Sequence, residues 1–187
     1  SAMVRRDGEL LLFDCGEGTQ VSLKRLNLKW KKIDSIFISH MHADHVTGLP
    51  GILMLSSQVD RDDPLTIYGP PRLKEYVDAN RRILDMYINY EIIVRVAEPG
   101  IIIDNDEYTV SAFPLLHTKP CVGYVMEEKE RAGVFNVERA KELNVPMGPL
   151  WGKLQRGEAV RLPAGTVIES DQVMGQTRSG RKMSSVT

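Results

Sequence analysis

The chain has 187 residues, 42% of them hydrophobic, enough for one domain with its own core. Lys+Arg 24 against Asp+Glu 25 leave a formal charge of −1, which excludes a generally basic nucleic-acid-binding surface and leaves only a local patch for such contacts. Two cysteines make no disulfide framework, no run of about 18 apolar residues offers a transmembrane helix, and the opening Ser-Ala-Met-Val-Arg-Arg lacks the apolar core of a signal peptide; the expectation is a cytoplasmic protein without membrane contact.

Residues 9–14 (ELLLFD) read as a buried strand between Gly8 and Gly16. Thr19 then serves as N-cap of a short amphipathic helix through Leu26. Residues 35–39 (SIFIS) form a second buried strand that runs directly into His40-Met41-His42-Ala43-Asp44-His45. A helix follows through Gly48-Leu49-Pro50 to Ser57, then a short strand at 65–68. Gly69-Pro70-Pro71 opens a helix to about Leu84, since proline is tolerated in a first turn. Strand-like runs occupy 91–97, 100–103, 108–113 and 122–126, with Asp104-Asn105-Asp106 as a turn. Strands alternating with helices, then strands alone, predict a layered α/β domain. Beyond Glu127, Gly133, Pro146, Gly148, Pro149, Gly152 and Gly157 punctuate one short helical pattern at 137–143, and residues 128–156 read as an excursion from the core. A last hairpin spans 159–168, turning at Pro163-Ala164-Gly165. The polar, basic tail at 177–187 shows no closing element.

The chain holds 4 histidines, His40, His42, His45 and His117. Three of them lie in the pattern His-x-His-x-Asp-His at the end of a strand. A short loop there can point His40 and His42 at one metal ion while Asp44 and His45 face a second, and imidazole with carboxylate is a donor set that suits zinc. His117 follows the strand-like Ser111-Ala112-Phe113-Pro114-Leu115-Leu116 and is the expected third ligand of the first ion. Asp44 ligates the second ion, acts as general base, or does both: metal-bound water ionises near neutral pH, and a neighbouring carboxylate can take its proton. A surface cluster of histidines and a structural zinc are the weaker alternatives. Structural sites favour thiolates, and neither Cys15 nor Cys121 has a ligand-like spacing.

Leu11-Leu12-Phe13-Asp14-Cys15-Gly16-Glu17-Gly18-Thr19-Gln20, with Ser39-His40-Met41-His42-Ala43-Asp44-His45-Val46-Thr47-Gly48-Leu49-Pro50-Gly51, resembles the ribonuclease Z family of the metallo-β-lactamase superfamily. His117 followed by Gly123-Tyr124 resembles its next ligand segment. Asn144-Val145-Pro146-Met147-Gly148-Pro149-Leu150-Trp151-Gly152-Lys153-Leu154 resembles part of its flexible tRNA-binding arm. The resemblance implies an α/β metallo-β-lactamase αββα four-layer sandwich, a single domain over 1–187, incomplete in this chain, with 128–156 as a protruding arm. It implies a zinc-dependent endoribonuclease that removes the 3′ trailer of precursor tRNA and is usually a homodimer. His40, His42 and His117 would hold one zinc, and Asp44 and His45 the other, two ions per complete subunit, with manganese or another divalent ion able to substitute. Asp14 would support the ligands from behind. Arg131, Lys141, Gly148, Pro149, Lys153 and Arg156 would belong to the arm's contact with tRNA.

The family also uses a bridging aspartate and later histidines. The chain ends at Thr187 with none after His117, so the expectation is a partial chain with an incomplete dinuclear site and little activity alone. The alternatives are another metallo-β-lactamase-fold phosphodiesterase or hydrolase, which would have no use for a tRNA-gripping arm, and an inactive metal-binding or dimerisation module.

Overall fold

Leu10, Leu11, Leu12 and Phe13 are apolar at every position, a pattern that a strand carries when both of its faces are covered. The computed structural model, which describes residues 1–28, 30–58, 61–163 and 165–186, contains both covers. Strands β1 (Ala2–Arg6), β2 (Glu9–Phe13), β3 (Ile33–Phe37), β4 (Leu65–Gly69) and β5 (Ile92–Val96) form a five-stranded sheet in that order. β1 pairs antiparallel with β2, and β2 to β5 are parallel. Parallel neighbours need crossovers. These contain α1 (Thr19–Arg25), then α2 (Ala43–Val46) with α3 (Leu49–Ser57), then α4 (Leu73–Ile83).

Side chains alternate along each strand, so the sheet has two apolar faces. Leu10, Leu12, Ile36 and Ile38 pack with Leu23 of α1, Leu49, Ile52 and Leu53 of α3, and Leu73 and Val77 of α4. On the other face Phe13 stacks on Phe37 at 4.7 Å and Phe37 on Tyr68 at 5.2 Å, while Tyr124 meets Phe37 edge-on at 5.3 Å.

Tyr124 comes from a second sheet. The later strands are β6 (Gly100–Asp104), β7 (Tyr108–Leu115), β8 (Cys121–Glu128), β9 (Val160–Arg161), β10 (Val167–Ile168) and β11 (Lys182–Ser185). β11, β8, β7 and β6 form a four-stranded sheet in that order, and β9 pairs with β10. Its docking onto the first sheet is fixed by polar contacts as well as aromatic rings. The Tyr124 hydroxyl donates to the Ile38 carbonyl at 2.8 Å, and the Val122 amide to the Ser39 carbonyl at 2.9 Å. Helices, first sheet and second sheet make three successive layers of the expected sandwich.

The chain divides into two compact units, the second comprising Asn105–Tyr108 and Glu127–Lys182. This unit has its own core: Ala140, Val145, Leu154, Val160, Leu162, Ile168 and Val173 are buried together, with Phe135, Leu150 and Trp151 against them. Its helices are α5 (Val137–Glu142) and α6 (Pro149–Gln155). Asn136 caps α5 by accepting the Arg139 amide at 2.9 Å. The expected turn at Pro163-Ala164-Gly165 lies between β9 and β10, with Ala164 outside the described residues. Among the described residues no helix is long and apolar enough to cross a membrane.

Four elements differ from the sequence reading. Residues 2–6, read as no strand, pair with β2 through a two-residue turn at Asp7 (φ 45°) and Gly8 (φ 104°), the positive-φ geometry that an Asp-Gly hairpin favours. The cap of α1 is Gly18 at φ 72°, while Thr19 is its first residue and donates its hydroxyl to the Gly16 carbonyl at 2.7 Å. α6 forms across Gly152, because Pro149 at its first position starts a helix rather than breaking one. The tail supplies β11, whose alternating exposure is that of an edge strand.

Candidate metal centre

In an open parallel sheet, ligands gather beyond the carboxyl ends of the strands. β2 leaves the sheet at Asp14 and β3 at Ser39, side by side. Asp14 sits at φ 56°, a left-handed conformation that aspartate tolerates better than most residues. Its buried carboxylate accepts the Ser39 amide at 2.8 Å and the Ser39 hydroxyl at 2.9 Å through Oδ1, and Oδ2 lies 2.9 Å from His45 Nδ1. The Ser39 hydroxyl is also 3.0 Å from His40 Nδ1. Asp14 and Ser39 therefore engage the Nδ1 atoms of His45 and His40 and leave the Nε2 atoms facing outward, as orienting carboxylates do behind metal-bound imidazoles. Sequence reasoning took Ser39 only as a strand end. Its signal was the hydroxyl directly before the first histidine.

The loop is stitched to the segment after β2. The Cys15 amide donates to the His45 carbonyl at 2.8 Å and the Gly48 amide to the Cys15 carbonyl at 2.9 Å. A Cβ on Gly48 would lie 2.0 Å from the Gly16 carbonyl oxygen, and one on Gly16 would lie 2.0 Å from that of Asp44. Both contacts are backbone against backbone, so no side chain can yield. Gly48→Ala should therefore lower the melting midpoint by several degrees, as clashes of this kind cost about 1–3 kcal/mol. It should also separate the His45 and Asp14 resonances from their parent positions in NMR spectra. An unchanged midpoint and spectrum would show that this packing does not hold the loop.

Three imidazoles converge. His40 Nε2 is 2.8 Å from His42 Nδ1, and His117 Nε2 is 3.1 Å from the same atom. The ligating atoms of all three lie within 4.8 Å of one another. Zinc–nitrogen bonds of about 2.1 Å in a tetrahedron put nitrogens roughly 3.4 Å apart, so a small outward shift would seat an ion among them. Burial holds the His40 imidazole below its usual range, and His45, His42 and His117 push the same way against Asp14. Neutral imidazole is the form that binds metal. His45 Nε2 points instead at Asp44 Oδ2, 3.3 Å away, and the Asp44 side chain is 80% exposed. The donor set thus divides as three nitrogens on one side and a carboxylate with one nitrogen on the other. Burial pushes the Cys15 thiol up to about 12, so it offers neither a thiolate ligand nor a nucleophile at neutral pH.

The expected arm residues lie in the second unit. Arg131 pairs with Glu128 at 3.2 Å, Lys141 with Glu138 at 2.9 Å and Arg156 with Glu158 at 2.9 Å. Gly148, at φ 139°, and Pro149 open α6, and Lys153 lies exposed in its last turn.

A family model described as Anti-Pycsar protein Apyc1 matches residues 1–127. Ribonuclease Z of Treponema denticola is 61% identical over 188 aligned residues, which cover 100% of this chain and 61% of that protein. The chain thus spans about three-fifths of the length of the curated relatives it matches. Among solved structures, human tRNase Z, short form, aligns with a TM-score of 0.64 at 32% identity, over 67% of this chain and 57% of that one. The metallo-β-lactamase fold protein YhfI from Bacillus subtilis aligns with a TM-score of 0.50 at 20% identity, over 66% of this chain and 48% of that chain, a likeness of fold alone.

Proposed function

The chain belongs to the Anti-Pycsar protein Apyc1 family and, within the metallo-β-lactamase fold, to the relatives of ribonuclease Z, and from this we propose that it serves a divalent-metal endoribonuclease that removes the 3′ trailer of precursor tRNA. The observation that carries the reading is the convergence of His40, His42 and His117 nitrogens at the carboxyl edge of a parallel sheet. His40, His42 and His117 hold one ion, and Asp44 and His45 contribute to a second. We take zinc as the metal, two ions per complete subunit, because imidazole and carboxylate donors match it, and manganese can replace it. When bound, such ions supply a Lewis acid at the scissile phosphate and ionise water near neutral pH. Asp44, exposed beside His45, takes the proton from the attacking water, while Asp14 and Ser39 hold the imidazoles in the tautomer that leaves Nε2 unprotonated. The setting is a cytoplasmic homodimer. Trailer removal from a precursor tRNA by the complete protein, with zinc or manganese added, tests the reading. Hydrolysis of a small phosphodiester with precursor tRNA untouched would move it to another hydrolase of the same fold.

The excursion at 128–156 is proposed as the tRNA-gripping arm, with Arg131, Lys141, Gly148, Pro149, Lys153 and Arg156 at the contact. Supporting this, the Lys141–Glu138 and Arg156–Glu158 pairs are solvent-exposed and individually weak, so these cations can exchange carboxylates for phosphates at little cost. Replacing Lys141, Lys153 and Arg156 together with glutamine should weaken precursor-tRNA binding and flatten its salt dependence. Each lost phosphate contact removes about 0.7–0.9 from the log–log slope, roughly 2–3 in all. A binding titration at four salt concentrations reads both. An unaltered slope would mark these residues as a solvated surface.

A further inference from the structure

On the same carboxyl edge of the parallel sheet lies a cleft of about 550 Å³, lined by Met41, Pro70, Pro71, Tyr76, Lys119 and Pro120 among others. Its position follows from the chain. Met41 stands between His40 and His42, and Lys119 is two residues past His117, so one side of the cleft is the backbone that carries the three imidazoles. The other side comes from the exit of β4 and the first turns of α4, where Pro70, Pro71 and Tyr76 lie. Met41 and Tyr76 also pack against the helical core, and the Tyr76 hydroxyl reaches the Val46 carbonyl at 3.4 Å, which tethers the ring.

The lining combines two chemistries. A thioether, a phenol ring and proline rings offer flat apolar surface. Arg72 answers Glu75 at 3.3 Å, whereas Lys119 is exposed and makes no ion pair among the described residues. A flat apolar slot with an uncommitted cation, lined by residues adjacent in sequence to a histidine cluster able to hold a metal ion, matches a nucleoside phosphate better than a purely apolar ligand, to which Lys119 would offer nothing. The volume lies within the range of small-molecule sites, about 300–1,000 Å³. Resting on the phosphodiester reading above, we propose that this cleft binds the nucleoside attached to the scissile phosphate: its base lies against Met41, Tyr76 and the prolines, and Lys119 meets the phosphate.

The probes are adenosine 5′-monophosphate, ribose 5-phosphate and inorganic phosphate, titrated calorimetrically into the full chain with and without zinc, with the Met41 methyl resonance of the parent chain as the reporter of position. Adenosine 5′-monophosphate should bind about tenfold more tightly than ribose 5-phosphate, as expected for one base on an aromatic platform. It alone should displace the Met41 signal. Tyr76→Leu, which keeps the apolar packing, should abolish that tenfold preference, and Lys119→Gln should weaken both sugar phosphates equally. Met41→Ala should also erase the preference, and it reads the cleft even where Tyr76→Leu fails to fold. Equal affinity of the two sugar phosphates for the parent chain, or a preference that survives both Tyr76→Leu and Met41→Ala, would overturn the subsite. Failure of the metal reading shows separately, as absence of bound zinc, and leaves the base preference intact.

Discussion

Asp44→Asn in the complete protein should slow precursor-tRNA cleavage by about 10²–10⁴-fold, the usual contribution of a positioned general base, and by more where ligation is lost as well. The substitution keeps size and hydrogen-bonding reach but removes the charge. The Asp44 side chain is 80% exposed, with its Oδ2 atom 3.3 Å from His45 Nε2, so little of the fold depends on it. A change in rate therefore reports chemistry rather than unfolding. Single-turnover cleavage and metal content, measured on one preparation, separate the two roles. Slow cleavage with metal retained assigns the proton-transfer role, and slow cleavage with one ion lost assigns the ligand role. Near-normal turnover with metal retained would remove Asp44 from the reaction.

His42→Ala should take the histidine cluster from about one bound zinc to below roughly a tenth of an equivalent, because catalytic zinc sites use about three protein ligands and two hold the ion poorly. His42 is the residue to change because its Nδ1 atom is shared, 2.8 Å from His40 Nε2 and 3.1 Å from His117 Nε2. It is also the N-cap of α2 without a side-chain cap bond, so alanine disturbs no local hydrogen bond of the helix. Elemental analysis after dialysis, beside the parent chain, is the measurement. Equal zinc in the two proteins would sink the assignment.

Much of the candidate centre was legible because most of its expected ligands are local. His40, His42, Asp44 and His45 fall within six residues, from the end of β3 into α2, and the apolar run before them announces the strand that presents them. The face-covering logic of Leu10 to Phe13 was equally legible, since an uninterrupted apolar strand needs two covers. What lay behind the imidazoles was not. The bonds from Asp14 to Ser39 and His45 depend on the parallel register of β2 and β3, which pairs Phe13 with Phe37, and no local pattern encodes that register. β11 escaped because a polar four-residue edge strand gains its order from β8 rather than from its own composition. α6 escaped because Gly148 and Gly152 were weighed as breakers, when burial of Leu154 and the ring nitrogen of Trp151, donating to the Val145 carbonyl at 3.0 Å, hold the turn in place.

The three imidazoles belong to different layers: His40 and His42 follow β3 of one sheet, and His117 follows β7 of the other. In the unfolded chain His42 and His117 are 75 residues apart, so the third imidazole joins the cluster only when the sheets have docked and the closure entropy of that long loop has been overcome. Metal uptake by these three imidazoles would then be linked to sandwich closure in a single equilibrium. An ion bound at a hundred times its dissociation constant would add about 2.7 kcal/mol to the stability of the docked state. Metal starvation would act on this protein twice, by removing chemistry at the loop and by loosening one sheet from the other.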